Sequence, residues 1–217
     1  MSLKEILDTL RAGMNEEALA AFADVLRKFD TQAIRDHALR RGDGIPDFIL
    51  PNAEGKLVST EQLRQQSPLI ISFYRGSWCT YCAHLLQALD LMVRDFPEGK
   101  SASLLALSPE VGGRAKSFKE MLGLQCEVLI DVDNAVAALF GVLVRLPPRY
   151  RRILTRKGIS AEAIHGHDGW FIPLASTFVI ASDGTIAHAE IHVDHTRRTE
   201  LENLPNIIET LWRDGGE

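Results

Sequence analysis

The chain has 217 residues, enough for one sizeable hydrophobic core with material left for an extension. Hydrophobic residues make up 46% and charged residues 24%, the balance of an ordinary globular protein, and a net charge of −5 gives no footing for nucleic acid or an anionic membrane as partner. No apolar run approaches bilayer-crossing length, Met1-Ser2-Leu3-Lys4-Glu5 lacks a secretion-signal pattern, and three cysteines do not make a disulfide framework; the expected compartment is a reducing cytoplasm.

Residues 3–38 read as helical. Leu3, Ile6, Leu7 and Leu10 form one apolar stripe, Gly13 and Asn15 interrupt, and Leu19, Phe22, Val25, Leu26 and Phe29 form a second. Residues 1–38 are therefore an N-terminal helical extension, and 39–217 the main domain. The stripes pack on their own domain or supply a homodimer contact; apolar periodicity does not choose between these.

Arg41 to Gly44 is a turn, and Asp47–Leu50 with Lys56–Val58 flank Asn52-Ala53-Glu54-Gly55 as a hairpin. Ser59-Thr60-Glu61 opens a short helix to about Gln65. Leu69 to Tyr74 is almost continuously apolar, as a strand covered on both faces should be. Gly76 and Ser77 break it, and from Ala83 onward Leu85, Leu86, Leu89, Met92, Val93 and Phe96 fall at helical spacing.

Cys79 and Cys82 thus stand at the start of a helix that follows a buried strand. Unpaired N–H groups and the positive end of the helix dipole favour a thiolate there, and the thiolate is the nucleophile. A second cysteine three positions on can close a short disulfide and release product. Two other readings compete: a zinc half-site, for which only a lone Cys126 is left over, and a pair of small core residues.

Ser103 to Leu107 is the next buried strand, Arg114 to Leu122 a helix, and Glu127 to Ile130 a short strand. Asp131 and Asp133 follow; they cap the coming helix from Val136 to Phe140, with metal binding as the alternative. Residues 145–160 are insertion-like. Tyr150, Ile153 and Leu154 give them one apolar face, and Arg145, Arg149, Arg151, Arg152, Arg156 and Lys157 make them basic, a solvated face or a dock for an acidic partner. His165-Gly166-His167-Asp168-Gly169-Trp170 is a glycine-rich loop whose His-x-His is a weak metal signal. Thr177–Ala181 and Ile186–Ile191 form a hairpin about Asp183-Gly184, and Glu200 to Trp212 closes the chain as an amphipathic helix. Strands and helices alternating in this way argue for an α/β sheet.

Trp78-Cys79-Thr80-Tyr81-Cys82 resembles the thioredoxin and glutaredoxin active-site turn. The wider chain resembles the peroxiredoxin-like branch of the alkyl hydroperoxide reductase/thiol-specific antioxidant (AhpC/TSA) family. The matching pieces are Gly42-Asp43-Gly44-Ile45-Pro46-Asp47-Phe48-Ile49-Leu50-Pro51-Asn52, Phe73-Tyr74-Arg75-Gly76, and Ser176-Thr177-Phe178-Val179-Ile180 with Asp183-Gly184. The resemblance implies a thioredoxin-like fold: a central mixed sheet flanked by helices. Aligned from Phe73-Tyr74, the peroxiredoxin proline falls on Arg75, the threonine on Cys79, the peroxidatic cysteine on Cys82 and the late arginine on Ala175. The cysteine spacing is thioredoxin-like while the surrounding chain is peroxiredoxin-like.

In that fold the late strand starts at the cysteine edge of the sheet and its hairpin partner returns there, which brings Asp194, His195, Thr196, Arg197 and Arg198 back to the cysteine end. The expected site is catalytic Cys79 and Cys82 framed by Arg75, Trp78, Trp170, Ser176 and Arg197, with Ser176 where thioredoxins carry a proline, and with no metal or cofactor. The implied activity is a thiol-based antioxidant oxidoreductase that reduces disulfides or hydroperoxides and is recharged by a thioredoxin or glutathione system. A non-catalytic redox sensor or binding module on the same fold is the alternative. Cys79 is the expected nucleophile on helix-terminus grounds, and the peroxiredoxin alignment argues for Cys82.

Overall fold

The computed structural model describes residues 2–28, 34, 36–97, 99–194, 196–198 and 201–214. Its organising element is β3 (Leu69–Phe73), which pairs in parallel with β4 (Ser103–Ser108) and antiparallel with β8 (Ala175–Ile180). With β5 (Glu127–Ile130) outside β4 and β9 (Ile186–His192) outside β8, the sheet order is β5-β4-β3-β8-β9. The side chains of β3 explain its central place. Leu69, Ile71 and Phe73 point into one core, Ile70 and Tyr74 into the cores of the opposite face, and the whole strand is buried.

The larger core holds four rings at its centre. Phe140 has its ring centroid 5.2 Å from Phe73, 5.1 Å from Phe178 and 6.4 Å from Phe48. Over the other face lies α4 (Thr80–Arg94), whose Leu85, Leu86 and Leu89 are buried. The C-terminal helix α9 (Leu204–Asp214) joins it through Leu204 and Ile208.

The remaining elements dress this sheet. The hairpin of β1 (Ile49–Pro51) and β2 (Leu57–Ser59) docks on β5 through a bridge from Asn52 to Leu129 and the Ala53 N–H to the Val128 carbonyl, 2.8 Å. Ser59 caps α3 (Thr60–Arg64) by accepting from the Gln62 N–H. After β4 come α5 (Arg114–Leu122), β5 and α6 (Ala135–Leu139). Asp131 does cap: its two carboxylate oxygens accept the Val136 and Ala137 N–H groups at 3.0 and 2.9 Å. The pair β6 (Leu143–Arg145) and β7 (Phe171–Pro173) then brackets α7 (Pro148–Arg156) and α8 (Ala161–His165).

The N-terminal helices pack on their own domain. α1 (Leu3–Ala12) carries a capping box between Ser2 and Glu5 and ends at Gly13, where the stripe breaks. It lies against α4, with Arg11 3.4 Å from Asp194. α2 (Glu16–Lys28) buries Ala21, Phe22 and Val25 and meets α7 through Glu17 and Arg156, 2.9 Å. Leu19 of the expected stripe is exposed, and Phe29 lies outside the described residues. α7 buries Tyr150, Ile153 and Leu154 as its periodicity requires, and turns Arg149, Arg152 and Arg156 outward. No helix among the described residues is long and apolar enough to cross a membrane.

Candidate active site

The turn after β3 is shaped by close packing. The ladder continues one residue beyond β3, since the Tyr74 N–H bonds the Leu107 carbonyl at 2.9 Å. Gly76 then takes φ +129°, and a Cβ there would lie 2.6 Å from Nε1 of Trp78, so both the backbone angle and the space demand glycine. The Cys79 N–H bonds back to the Gly76 carbonyl at 3.0 Å, closing the turn. Cys79 is the N-cap of α4, and its carbonyl accepts the N–H groups of Cys82 at 2.9 Å and Ala83 at 3.1 Å. The first turn of a helix is therefore wrapped around the cysteine pair, as the sequence spacing predicts.

Both cysteines are free thiols and both are buried, Cys79 at 4% and Cys82 at 1% exposure, so the first is not set apart by accessibility. Both sit beside positive charge. Nη2 of Arg198 lies 3.4 Å from Sγ of Cys82 and 3.7 Å from Sγ of Cys79. Arg75, 4% exposed, holds its guanidinium between the rings of Trp78 at 4.7 Å and Tyr150 at 5.4 Å. Burial by itself would raise the Cys79 thiol, but the hydrogen bond with Cys82 and the charges of Arg75 and Arg198 pull it down to about 5. Burial pushes Cys82 well up, its hydrogen bond to Cys79 and the neighbouring Cys79 charge push the same way, and Arg198 and the Arg75 backbone oppose them. Cys126 is raised to about 12 by burial and by Asp90; it packs at the edge of the core that holds the cysteine pair, where the Asp90 carboxylate accepts its N–H at 2.8 Å.

The expected frame is partly assembled. Arg75 and Trp78 stand against the pair, and Trp78 packs on both the larger core and the core that contains the cysteines. Arg197 does not face the sulfurs: its side chain is 74% exposed and pairs with Asp194 at 3.8 Å. Its neighbour Arg198 faces them, because consecutive side chains of this irregular return segment diverge. Ser176 sits opposite Phe73 in the ladder and spends its hydroxyl on the Leu174 carbonyl at 3.1 Å. Trp170 has a left-handed backbone, φ 52°, and packs against the larger core on the β6–β7 side. His195 lies outside the described residues.

In the His-x-His loop, His165 and His167 have ring centroids 6.0 Å apart, and Nδ1 of His167 accepts the Gly169 N–H at 3.1 Å. No cluster of three or more candidate metal ligands occurs among the described residues.

Sequence reasoning missed three contributors. Tyr150 arrives from the basic segment, where its periodicity marks it only as apolar. Tyr81 lies under Arg198, 5.8 Å from ring centroid to guanidinium. Glu110, two residues beyond β4 and fully buried, accepts both the N–H and the hydroxyl of Ser77 at 2.7 Å. Nothing in a Ser-Pro-Glu triplet announces such a contact across 33 residues.

A sequence model of the AhpC/TSA family matches residues 41–189. Among curated proteins, Rv2521 of Mycobacterium tuberculosis, which carries the name peroxiredoxin, is 27% identical over 160 residues, covering 73% of this chain and 88% of its own. Among solved structures, the peroxidoxin BcpB from Mycobacterium tuberculosis superposes with a TM-score of 0.58 at 21% identity, covering 81% of this chain and 97% of that one. A peroxiredoxin-like protein from Aquifex aeolicus gives 0.63 at 14% identity, over 80% and 88% of the two chains. Both superpositions carry the same thioredoxin-like sheet and helices. With the family model spanning more than half of its length and a thiol pair at the head of α4, the chain belongs to the AhpC/TSA family and is a thiol-dependent oxidoreductase.

Proposed function

We propose that Cys79 and Cys82 are the working dithiol, with Cys79 as attacking sulfur and Cys82 as resolver. The observation that carries this is geometric: two free, buried thiols at the start of one helix, with Cys79 at its N-cap and the Arg198 guanidinium within 3.4–3.7 Å of both sulfurs. With a disulfide as acceptor, the Cys79 thiolate attacks one sulfur, forms a mixed disulfide and expels a thiolate. Cys82 then loses its proton, attacks Sγ of Cys79 and expels the second thiolate. The acceptor gains two electrons and the protein holds the Cys79–Cys82 disulfide. With a hydroperoxide, Cys79 takes the terminal oxygen as a sulfenic acid, the alcohol leaves with a proton, and Cys82 closes the same disulfide with loss of water.

The peroxiredoxin names of the relatives support the hydroperoxide, and the C-x-x-C spacing supports the disulfide. Arg75 and Arg198 are the positioning charges of this reading. A thiol reductant of the thioredoxin or glutathione class returns the two electrons, in a reducing compartment such as the cytoplasm, and no further cofactor enters.

Turnover decides it. Reduced protein is mixed with an alkyl hydroperoxide or a small disulfide, with dithiothreitol as electron source, and the oxidised protein is mapped by mass. Multiple turnovers with a Cys79–Cys82 bridge are expected. Stoichiometric oxidation without turnover would make the protein a sensor instead.

A further inference from the structure

We propose that Glu110 is a positioning residue for Cys79: through the two hydrogen bonds it accepts from Ser77 it fixes the turn that delivers Cys79 to the helix, and its carboxylate supplies the opposing charge that keeps Arg75 and Arg198 from over-stabilising the thiolate. This rests on the redox reading above and extends it to a residue outside the thiol pair and its arginines.

The geometry comes first. Glu110 is fully buried, and its own N–H is tied to the Ser108 hydroxyl at 3.3 Å, so the carboxylate is aimed from a fixed strand end. Oε2 takes the Ser77 N–H and Oε1 the Ser77 hydroxyl, both at 2.7 Å. Short, doubled bonds of this kind between a buried carboxylate and a backbone N–H are strong and directional. A Cβ on Gly76 would also lie 3.2 Å from the Glu110 carboxyl carbon, so the turn is pressed against this group. Only Trp78 separates Ser77 from Cys79.

Charge gives the second half. The groups acting on Cys79 are Arg75 at the turn, Arg198 from the segment after β9 and Cys82 on α4, and Glu110 after β4 in turn feels the Cys79 charge. Around Glu110 stand Ser77, Arg114, Tyr74 and Cys79. Burial raises the Glu110 carboxyl, the two Ser77 bonds and Arg114 oppose that, and the neighbouring Cys79 charge adds to the rise. Repulsion is mutual, so the ionised carboxylate makes the thiolate less comfortable. A thiolate stabilised too far loses intrinsic nucleophilicity and becomes a better leaving group, which favours the reduced form. Glu110 sets the balance the other way.

The test compares the parent with Glu110→Gln and Glu110→Ala. The readouts are the pH midpoint of Cys79 alkylation by iodoacetamide and the equilibrium constant of the Cys79–Cys82 disulfide against dithiothreitol. Glutamine keeps an acceptor for the Ser77 N–H and gives the Ser77 oxygen a donor, so folding is retained and charge alone is removed. The expected result for Glu110→Gln is a lower alkylation midpoint and an equilibrium shifted toward the dithiol by about threefold or more, the scale of one partly screened charge. Glu110→Ala loses the turn contact as well as the charge, so its midpoint also falls while its alkylation rate well above the midpoint drops below the parent's. Identical midpoints and equilibrium constants in parent and Glu110→Gln would overturn the proposal, whatever Glu110→Ala does to thermal stability. A parent that forms no Cys79–Cys82 disulfide would instead overturn the redox reading beneath it, which the parent arm reveals on its own.

Discussion

Nη2 of Arg198 lies 3.4 Å from Sγ of Cys82, which ties the segment after the last strand to the helix that begins with the cysteines. The contact puts a buried cation where the thiol chemistry needs negative charge held in place. Arg198→Ala is expected to raise the midpoint of Cys79 alkylation from about 5 by roughly one pH unit, which slows the reaction about twofold at pH 6 and about ninefold at pH 4. Arg198→Lys keeps the charge but not the planar fork and should recover part of the rate. An unchanged alkylation profile in Arg198→Ala would leave Arg75 as the only cation that matters.

The four-ring cluster under β3 makes a stability prediction independent of the chemistry. Phe140 is fully buried and touches three other phenylalanines, with centroids 5.1 to 6.4 Å away. Phe140→Ala removes that ring from a packed site at the C-cap of the short helix α6, which has little freedom to collapse. A loss of about 3–5 kcal/mol in urea unfolding is expected. Leu139, next in sequence and 57% exposed, serves as control, and Leu139→Ala should cost less than about 1 kcal/mol.

These two sites also show what could be read in advance. The strand from Leu69 and the helix after Cys82 were legible because apolar periodicity reports burial directly, and the Asp183-Gly184 hairpin because its turn chemistry is local. The helix start at Cys79 was legible for the same reason. The arginine at the sulfurs was placed one residue early, on Arg197, because the return segment is irregular and carries no period from which to read side-chain direction. Glu110 and Tyr150 were invisible as site residues, since their contacts with Ser77 and Arg75 join separate segments through tertiary packing alone.

His165 gives a pH prediction. Its side chain is buried, and neither ring nitrogen finds a hydrogen-bond partner among the described residues. Burial, helped by the nearby His167, lowers it from 6.5 to about 4, so the folded protein prefers the neutral ring. The unfolded chain takes up its proton first as pH falls. The stabilising effect of a neutral His165 is therefore complete above about 6.5 and is lost progressively toward pH 4. His165→Leu should lose less thermal stability than the parent between pH 7 and pH 4.5. Equal losses in calorimetry would assign the acid sensitivity elsewhere.

The last prediction concerns which sulfur attacks. Alignment to the peroxiredoxin pattern puts the peroxidatic role on Cys82, whereas the helix terminus favours Cys79, and Arg198 reaches both sulfurs. Burial and the hydrogen bond to Cys79 push Cys82 up against the pull of Arg198, while the bond to Cys82 and the charges of Arg75 and Arg198 pull Cys79 down. Cys82→Ser should therefore trap a mixed disulfide on Cys79 with a small aromatic disulfide near neutral pH, visible by release of one thiolate and by mass mapping. Cys79→Ser should resist iodoacetamide at pH 7, and Cys126, pushed up to about 12, should stay unmodified in both variants. The same assignment predicts faster reaction with that disulfide than with hydrogen peroxide, because the threonine that would help orient a peroxide is replaced here by Cys79 itself. A fast-reacting thiol that survives in Cys79→Ser would transfer the nucleophile to Cys82, and with it the peroxide preference of the family pattern.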